Sequence, residues 1–235
     1  MGTPTRFTNG IATVPKGYPL SSYPLPDPFN STSDTGFGIS SYAVDFTAPS
    51  SASDYALTGS SSTFALAAGL GGQALLTPGG TTTTTTIFKT ATSFGFVAGQ
   101  KLWYTTRVKV SALTGTYTIG LASAASTATD GLWFVTAGTG AVNLVSRVGS
   151  TSTTLITGVT TLVANTFVEL GYHYDNTDLL VFVNNNLVAR VPNVTIGTSA
   201  TTLSSVLVSP IVIDVPTATE TVTLDYILAA QEVSR

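Results

Sequence analysis

The chain has 235 residues, 43% of them hydrophobic and only 9% charged, with a net charge of −3, one histidine and no cysteine. That length and apolar content suffice for one large domain held by its own core, and the lack of cysteine excludes a disulfide framework, a thiolate metal site and a cysteine nucleophile. Nine basic residues, spread singly, give no stripe for neutralising phosphates, which argues against nucleic acid as a partner.

Charged residues usually make up about 25% of a soluble globular chain. Here Thr, Ser, Asn and Gly must supply the surface, which suits burial against other proteins or a place in a rugged particle outside the cell. No apolar run reaches the ~18 residues of a membrane helix. The opening "MGTPTRFTNG" has neither a basic region followed by an apolar one nor the Ser/Thr of a myristoylation signal, so no secretory route and no lipid anchor are expected.

Residues 1–34 form the first unit, an extended arm. Pro4, Pro15, Pro19, Pro24, Pro26 and Pro28 fall in its first 28 residues. Proline fixes φ and removes an amide donor, so the arm favours extended conformations without a ladder of its own. One reading is a flexible proline-rich tail. The other is a docking arm, with Phe7, Ile11, Val14, Tyr18, Leu20, Tyr23, Leu25 and Phe29 as apolar anchors and the prolines lowering the entropy lost on ordering. Such a segment can add to a neighbour's sheet edge through main-chain hydrogen bonds.

Residues 35–235 read as one all-β domain. The expected strands are 41–46, 63–68, 73–77, 81–88 after the Pro78-Gly79-Gly80 turn, 101–110, 117–123, 132–137 and 142–148, then 167–175, 179–184, 187–191, 203–213 and 220–230. Turn signals every 8–12 residues mark a sandwich or barrel. In "FVELGYHYD" the alternation puts Val168, Leu170, Tyr172 and Tyr174 on the core face and His173 on the other. Asn184–Asn186 form the tight reversal of a hairpin, because Asn tolerates positive φ. The six threonines at 81–86 read as a Thr-faced strand with one wet surface.

The succession "KLWYTTRVKVS", "TIGLAS", "DGLWFV", "FVELGYHYDNTDLLVFVNNNLVARV" and "VTLDYILAAQE" resembles the strand order of concanavalin-like, lectin/glucanase-type jelly rolls. The hairpin in it resembles the laminin-G type pattern. The opening "TRFTNGIATVPKG" and the closing "LDYILAAQE" together resemble a narrower group, the capsid cement or decoration proteins of tailed bacteriophage heads. The resemblance covers most of the chain, with the central Thr/Ser-rich part matching in outline. It implies a jelly-roll β-sandwich of two antiparallel sheets on the capsid exterior, assembled in the host cytoplasm. Its implied partners are the phage major capsid protein and further copies of itself, as homodimer or homotrimer. A lectin-like virion module for host attachment is the alternative.

The residues carrying chemistry are few. A glucanase needs two carboxylates flanking the scissile bond, yet the three glutamates, Glu169, Glu220 and Glu232, form no acidic strand motif. Asp175 and Asp178 share a turn. His173 stands alone, read as a surface or interface residue. Gly69, Gly71 and Gly72 read as a turn, not a phosphate loop, because no helix follows. Asp27, Asp34, Asp130 and Asp214 are expected in loops without a dense calcium motif. Trp103 and Trp133 are expected in the core. The resulting expectation is a chain without catalytic residue, metal or cofactor, and not an enzyme.

Overall fold

A computed structural model describes residues 37–44, 46, 55–67, 72–90, 93–136, 138–199, 201–216 and 220–234. Their strands, in chain order, are β1 (Phe37–Val44), β2 (Tyr55–Thr58), β3 (Thr63–Ala67), β4 (Gln73–Thr77), β5 (Thr85–Lys89), β6 (Leu102–Val110), β7 (Thr116–Ala122), β8 (Gly131–Thr136) and β9 (Ala141–Val148). They continue as β10 (Thr151–Thr161), β11 (Val168–Tyr174), β12 (Leu179–Val183), β13 (Asn186–Val191), β14 (Ile196–Gly197), β15 (Leu203–Ser204), β16 (Ser209–Val215) and β17 (Val222–Ser234).

Two large antiparallel sheets stack face to face. The eight-stranded sheet runs β13-β12-β11-β6-β17-β4-β3, with β1 also paired to β17; the seven-stranded sheet runs β10-β9-β8-β7-β16-β5-β2. This is the expected all-β jelly-roll sandwich of concanavalin-like type. The core follows from alternation. Tyr104, Val108, Leu170, Tyr172, Leu224 and Ile227 point inward from the larger sheet and meet Ile119, Leu121, Leu132, Phe134, Leu144 and Val212 from the smaller.

The sequence pattern places most strands within one to four residues, and the exceptions have physical causes. The threonine run is turn up to Thr82 and strand only from Thr85, where Thr85 and Thr86 are buried rather than wet. Strand β10 was not expected. Its "TSTTLITGVTT" lies on the sheet edge, largely exposed, so it carries no apolar alternation to read. The expected strand 203–213 is two pieces, β15 and β16. Pro210 is tolerated inside β16 because β5 pairs only from Ile211 onward, which leaves the proline without a neighbour to bond on that side.

Candidate functional site

The outer face of the seven-stranded sheet is set by register. One row of paired residues runs Ala56, Phe88, Ile211, Gly120, Trp133, Val145, Thr154. The next holds Thr58, Thr86, Ile213, Thr118, Val135 and Asn143. Phe88, Ala122, Trp133 and Ile211 form an apolar cluster separate from the main core, with Ala125 and Ala128 packed against it. Gly131 is required here: a Cβ on it would collide with the Trp133 ring. Among the described residues this face carries no carboxylate; β8 presents Gly131, Trp133 and Val135 to it.

Trp133 therefore belongs to an outer apolar row, not to the inter-sheet core where it was expected. Trp103 departs in the same way. It lies on the outer face of the eight-stranded sheet, directly opposite His173 in the β6–β11 register. The rings stack with centroids 4.8 Å apart and planes 8° from parallel. His173, expected at a surface, is fully buried, and neither ring nitrogen has a hydrogen-bond partner. Burial pushes its pKa down to about 4; the charge of Asp175 opposes this, and that of Lys101 adds a smaller lowering effect. An imidazole so placed stays neutral and serves as packing surface.

Among the described residues, carboxylates share an outer face on the eight-stranded sheet. Glu169 faces Arg107 in register, and Asp225, at the bulge between Leu224 and Tyr226, ion-pairs with the same guanidinium. Arg107 and Lys109 both lie over the Phe167 ring, at 4.5 Å and 4.8 Å from its centroid. Burial, followed by the hydrogen bond and charge of Glu169, holds the Tyr226 phenol well above its usual range. Glu232 pairs with Lys101 at 3.8 Å.

The remaining acidic candidates are structural. Asp175 Oδ1 accepts the amides of Thr177 and Asp178, closing the expected turn, and Asp178 binds Arg190. Asp130 accepts from the Gly149 amide and the Ser204 hydroxyl, at 3.0 Å and 2.6 Å. Asp214, expected in a loop, lies within β16 and points into the interior. Gly72 has φ +79, as a turn requires, while Gly69 and Gly71 lie outside the described residues. Asp27, Asp34 and the arm anchors Phe7, Ile11, Val14, Tyr18, Leu20, Tyr23, Leu25 and Phe29 also lie outside them.

A groove of about 350 Å³ opens beside the β9–β10 turn, lined by Val148, Gly149, Thr151, Thr153, Thr198, Ser199 and Thr201. Sequence reasoning missed it, because its hydroxyls come from an unrecognised edge strand and from a segment about fifty residues later.

No family model matches the chain, and no curated protein matches it in sequence. Solved structures do match. An endo-1,3-beta-glucanase from Streptomyces sioyaensis superposes with a TM-score of 0.60 at 11% identity, covering 84% of this chain and 97% of that one. A Shewanella oneidensis protein of unknown function gives 0.57 at 16% identity, covering 84% and 87%. A carbohydrate esterase from the Shiga toxin-encoding bacteriophage phi24B gives 0.54 at 14% identity, covering 84% and 100%. At these identities the likeness establishes the fold, a lectin/glucanase-type jelly roll. It also corrects the expectation that the chain is not an enzyme: glucanases and a carbohydrate esterase are built on this fold, so the missing acidic strand motif does not exclude catalysis.

Proposed function

We propose that the chain is a virion protein of a tailed bacteriophage, a capsid cement protein whose jelly roll sits on the head exterior and whose residues 1–34 lash it to the major capsid protein. The observation that carries this reading is the seam between β1 and β17. The two stretches that resemble head proteins are "TRFTNGIATVPKG" in the arm, which precedes β1 in the sequence, and "LDYILAAQE", which lies in β17. β1, the strand that follows the arm in the sequence, pairs with β17 in one antiparallel ladder, Phe37 opposite Ser234 through Val44 opposite Ile227. A load pulling the arm along the strand direction would shear eight residue pairs together instead of opening them one at a time. An anchor on a pressurised shell needs that mechanical property.

The weakly charged, threonine-rich chain supports the same reading, because long-range charge would contribute little to a permanent interface. Many copies, each bridging capsid subunits, would stabilise the head by avidity. Self-association on a local symmetry axis, as dimer or trimer, fits closed point-group assembly.

Co-sedimentation with phage heads stripped of the protein tests the proposal. Full-length chain should pellet with the heads in saturable, stoichiometric amount, and a variant lacking residues 1–34 should stay in solution. Binding of both forms would move the anchor into the jelly roll. Binding of neither would overturn the cement role. It would also favour a second reading, recognition of a neutral glycan, for which the hydroxyl-lined groove speaks in a fold shared with carbohydrate-active proteins. A glycan array would then be the next assay.

A further inference from the structure

The interior of the sandwich holds two carboxyl groups that none of the roles above uses. Asp214 points inward from β16, with Thr85 of β5 and Tyr117 of β7 as its register partners. It is fully buried, and neither carboxylate oxygen has a hydrogen bond. Glu220, 1% exposed, comes in from the residues just before β17. Its Oε1 accepts from the Thr114 hydroxyl, and its Oε2 lies 2.6 Å from the Tyr117 phenol oxygen. That same phenol oxygen is 2.9 Å from the Ala112 carbonyl.

Proton counting makes this arrangement informative. A phenol has one proton to donate. If Tyr117 gives it to the Ala112 carbonyl, the short contact to Glu220 must be closed by a proton on the carboxyl. If Tyr117 gives it to Glu220, the Ala112 carbonyl faces a lone pair. A protonated Glu220 satisfies both contacts with a full hydrogen bond each, whereas a single Tyr117 proton shared between two acceptors makes two weaker ones. The neighbouring groups point the same way. Thr85, Tyr117 and Thr114 face the site from β5, β7 and the β6–β7 connection, and none of them carries positive charge. Two ionised carboxylates in one buried space repel, and burial disfavours each of them. Burial first, and then the charge of Glu220, push the Asp214 carboxyl up to about 7.

We infer that Asp214 and Glu220 are a proton-holding pair: below neutral pH, where ordinary carboxyls are already ionised, the folded chain keeps a proton on the two carboxyls, with Tyr117 relaying the hydrogen bond to the Ala112 carbonyl. In alkaline solution the proton leaves to solvent, and Tyr117 can then bond Glu220 or Ala112 but not both. The pair is thus a pH-responsive tie between the 112–117 segment and the entry to β17. Because the groups are coupled, the observed midpoint belongs to the pair.

Carbon-13 NMR of the full chain, labelled at Asp and Glu carboxyls and titrated from pH 4 to 9, tests this directly. A carboxyl transition with its midpoint near 7 is expected in the wild type, lost in Asp214→Asn and displaced in Tyr117→Phe. The wild-type Tm should also fall relative to that of Asp214→Asn as pH rises from 5 to 7.5. If Asp214→Asn does not fold, the wild-type titration alone decides. The inference is overturned if every carboxyl titrates near the ordinary value of about 4, or if the two Tm profiles run parallel. A rise in Tm on adding calcium, lost in Asp214→Asn, would also overturn it, by showing that the pair holds a cation instead of a proton. None of these readouts depends on capsid binding.

Discussion

His173 packs against Trp103 with both ring nitrogens buried and unbonded. An imidazole in that position folds only in its neutral form, and its pKa is lowered to about 4 from 6.5. The sign follows directly. Between those values the unfolded chain binds a proton that the folded chain does not, so the stability present above pH 6.5 is lost as pH falls to 4. The loss is of the order of 3 kcal/mol. Replacing His173 with Phe keeps the stack and removes the titration, so denaturant midpoints of H173F should change much less than those of the wild type between pH 6.5 and 4.5. An equal decline in both would show that the imidazole is solvated after all. The alternation in "FVELGYHYD" identified the inward residues correctly: Leu170, Tyr172 and Tyr174 are buried in the core, and Val168 packs against it. Strand parity also gave His173 its outward direction. Its burial was not readable, because that depends on Trp103 standing opposite it in a strand about seventy residues away. Asp214 and Glu220 are near in sequence, but the Tyr117 and Thr114 groups that tie them together stand about a hundred residues earlier, and that register was not readable.

Turn chemistry was the most readable feature among the elements. The β12–β13 hairpin reverses through Asn184 and Asn185, at φ +48 and +63, between the paired residues Val183 and Asn186. Two successive left-handed residues are what a type I′ turn requires. The Asn184 amide donates to the Glu169 carbonyl and its side-chain oxygen accepts from the Glu169 amide, both at 2.9 Å, tying the turn to β11. Asn185→Gly should therefore hold or raise stability, while Asn185→Val should cost about 1–2 kcal/mol, read from urea midpoints at an unchanged m-value. Equal midpoints for the two variants would contradict the turn assignment. Apolar alternation located β6, β7, β8, β11 and β17, each packed on one face against the core. It failed for β10, whose two faces are both largely exposed, and for the short edge strand β2. Edge strands of this kind obey no burial pattern, so their sequence carries turn-like and strand-like residues without a period.

For the whole molecule, the strand series with regular turns led to the jelly roll, and the two stacked antiparallel sheets bear it out. The functional surface was less readable. It depends on which residues of different strands share an outer face, and local sequence does not encode that. Seen in three dimensions, the outer face of the seven-stranded sheet is an apolar row, the carboxylates of the other sheet engage Arg107 and Lys101, and the one hydroxyl-lined groove among these features lies at the edge. The proposed function is mechanical: β1, paired with β17 in the larger sheet, would take up load from the arm, and the arm would join the domain to a shell. Cryo-electron microscopy of phage heads reconstituted with the full-length chain tests it most directly. The account predicts sandwich-shaped density on the head exterior over boundaries between capsid subunits, with residues 1–34 traced onto the capsid protein from the β1 side. Heads without added density, or density confined to the tail, would contradict it.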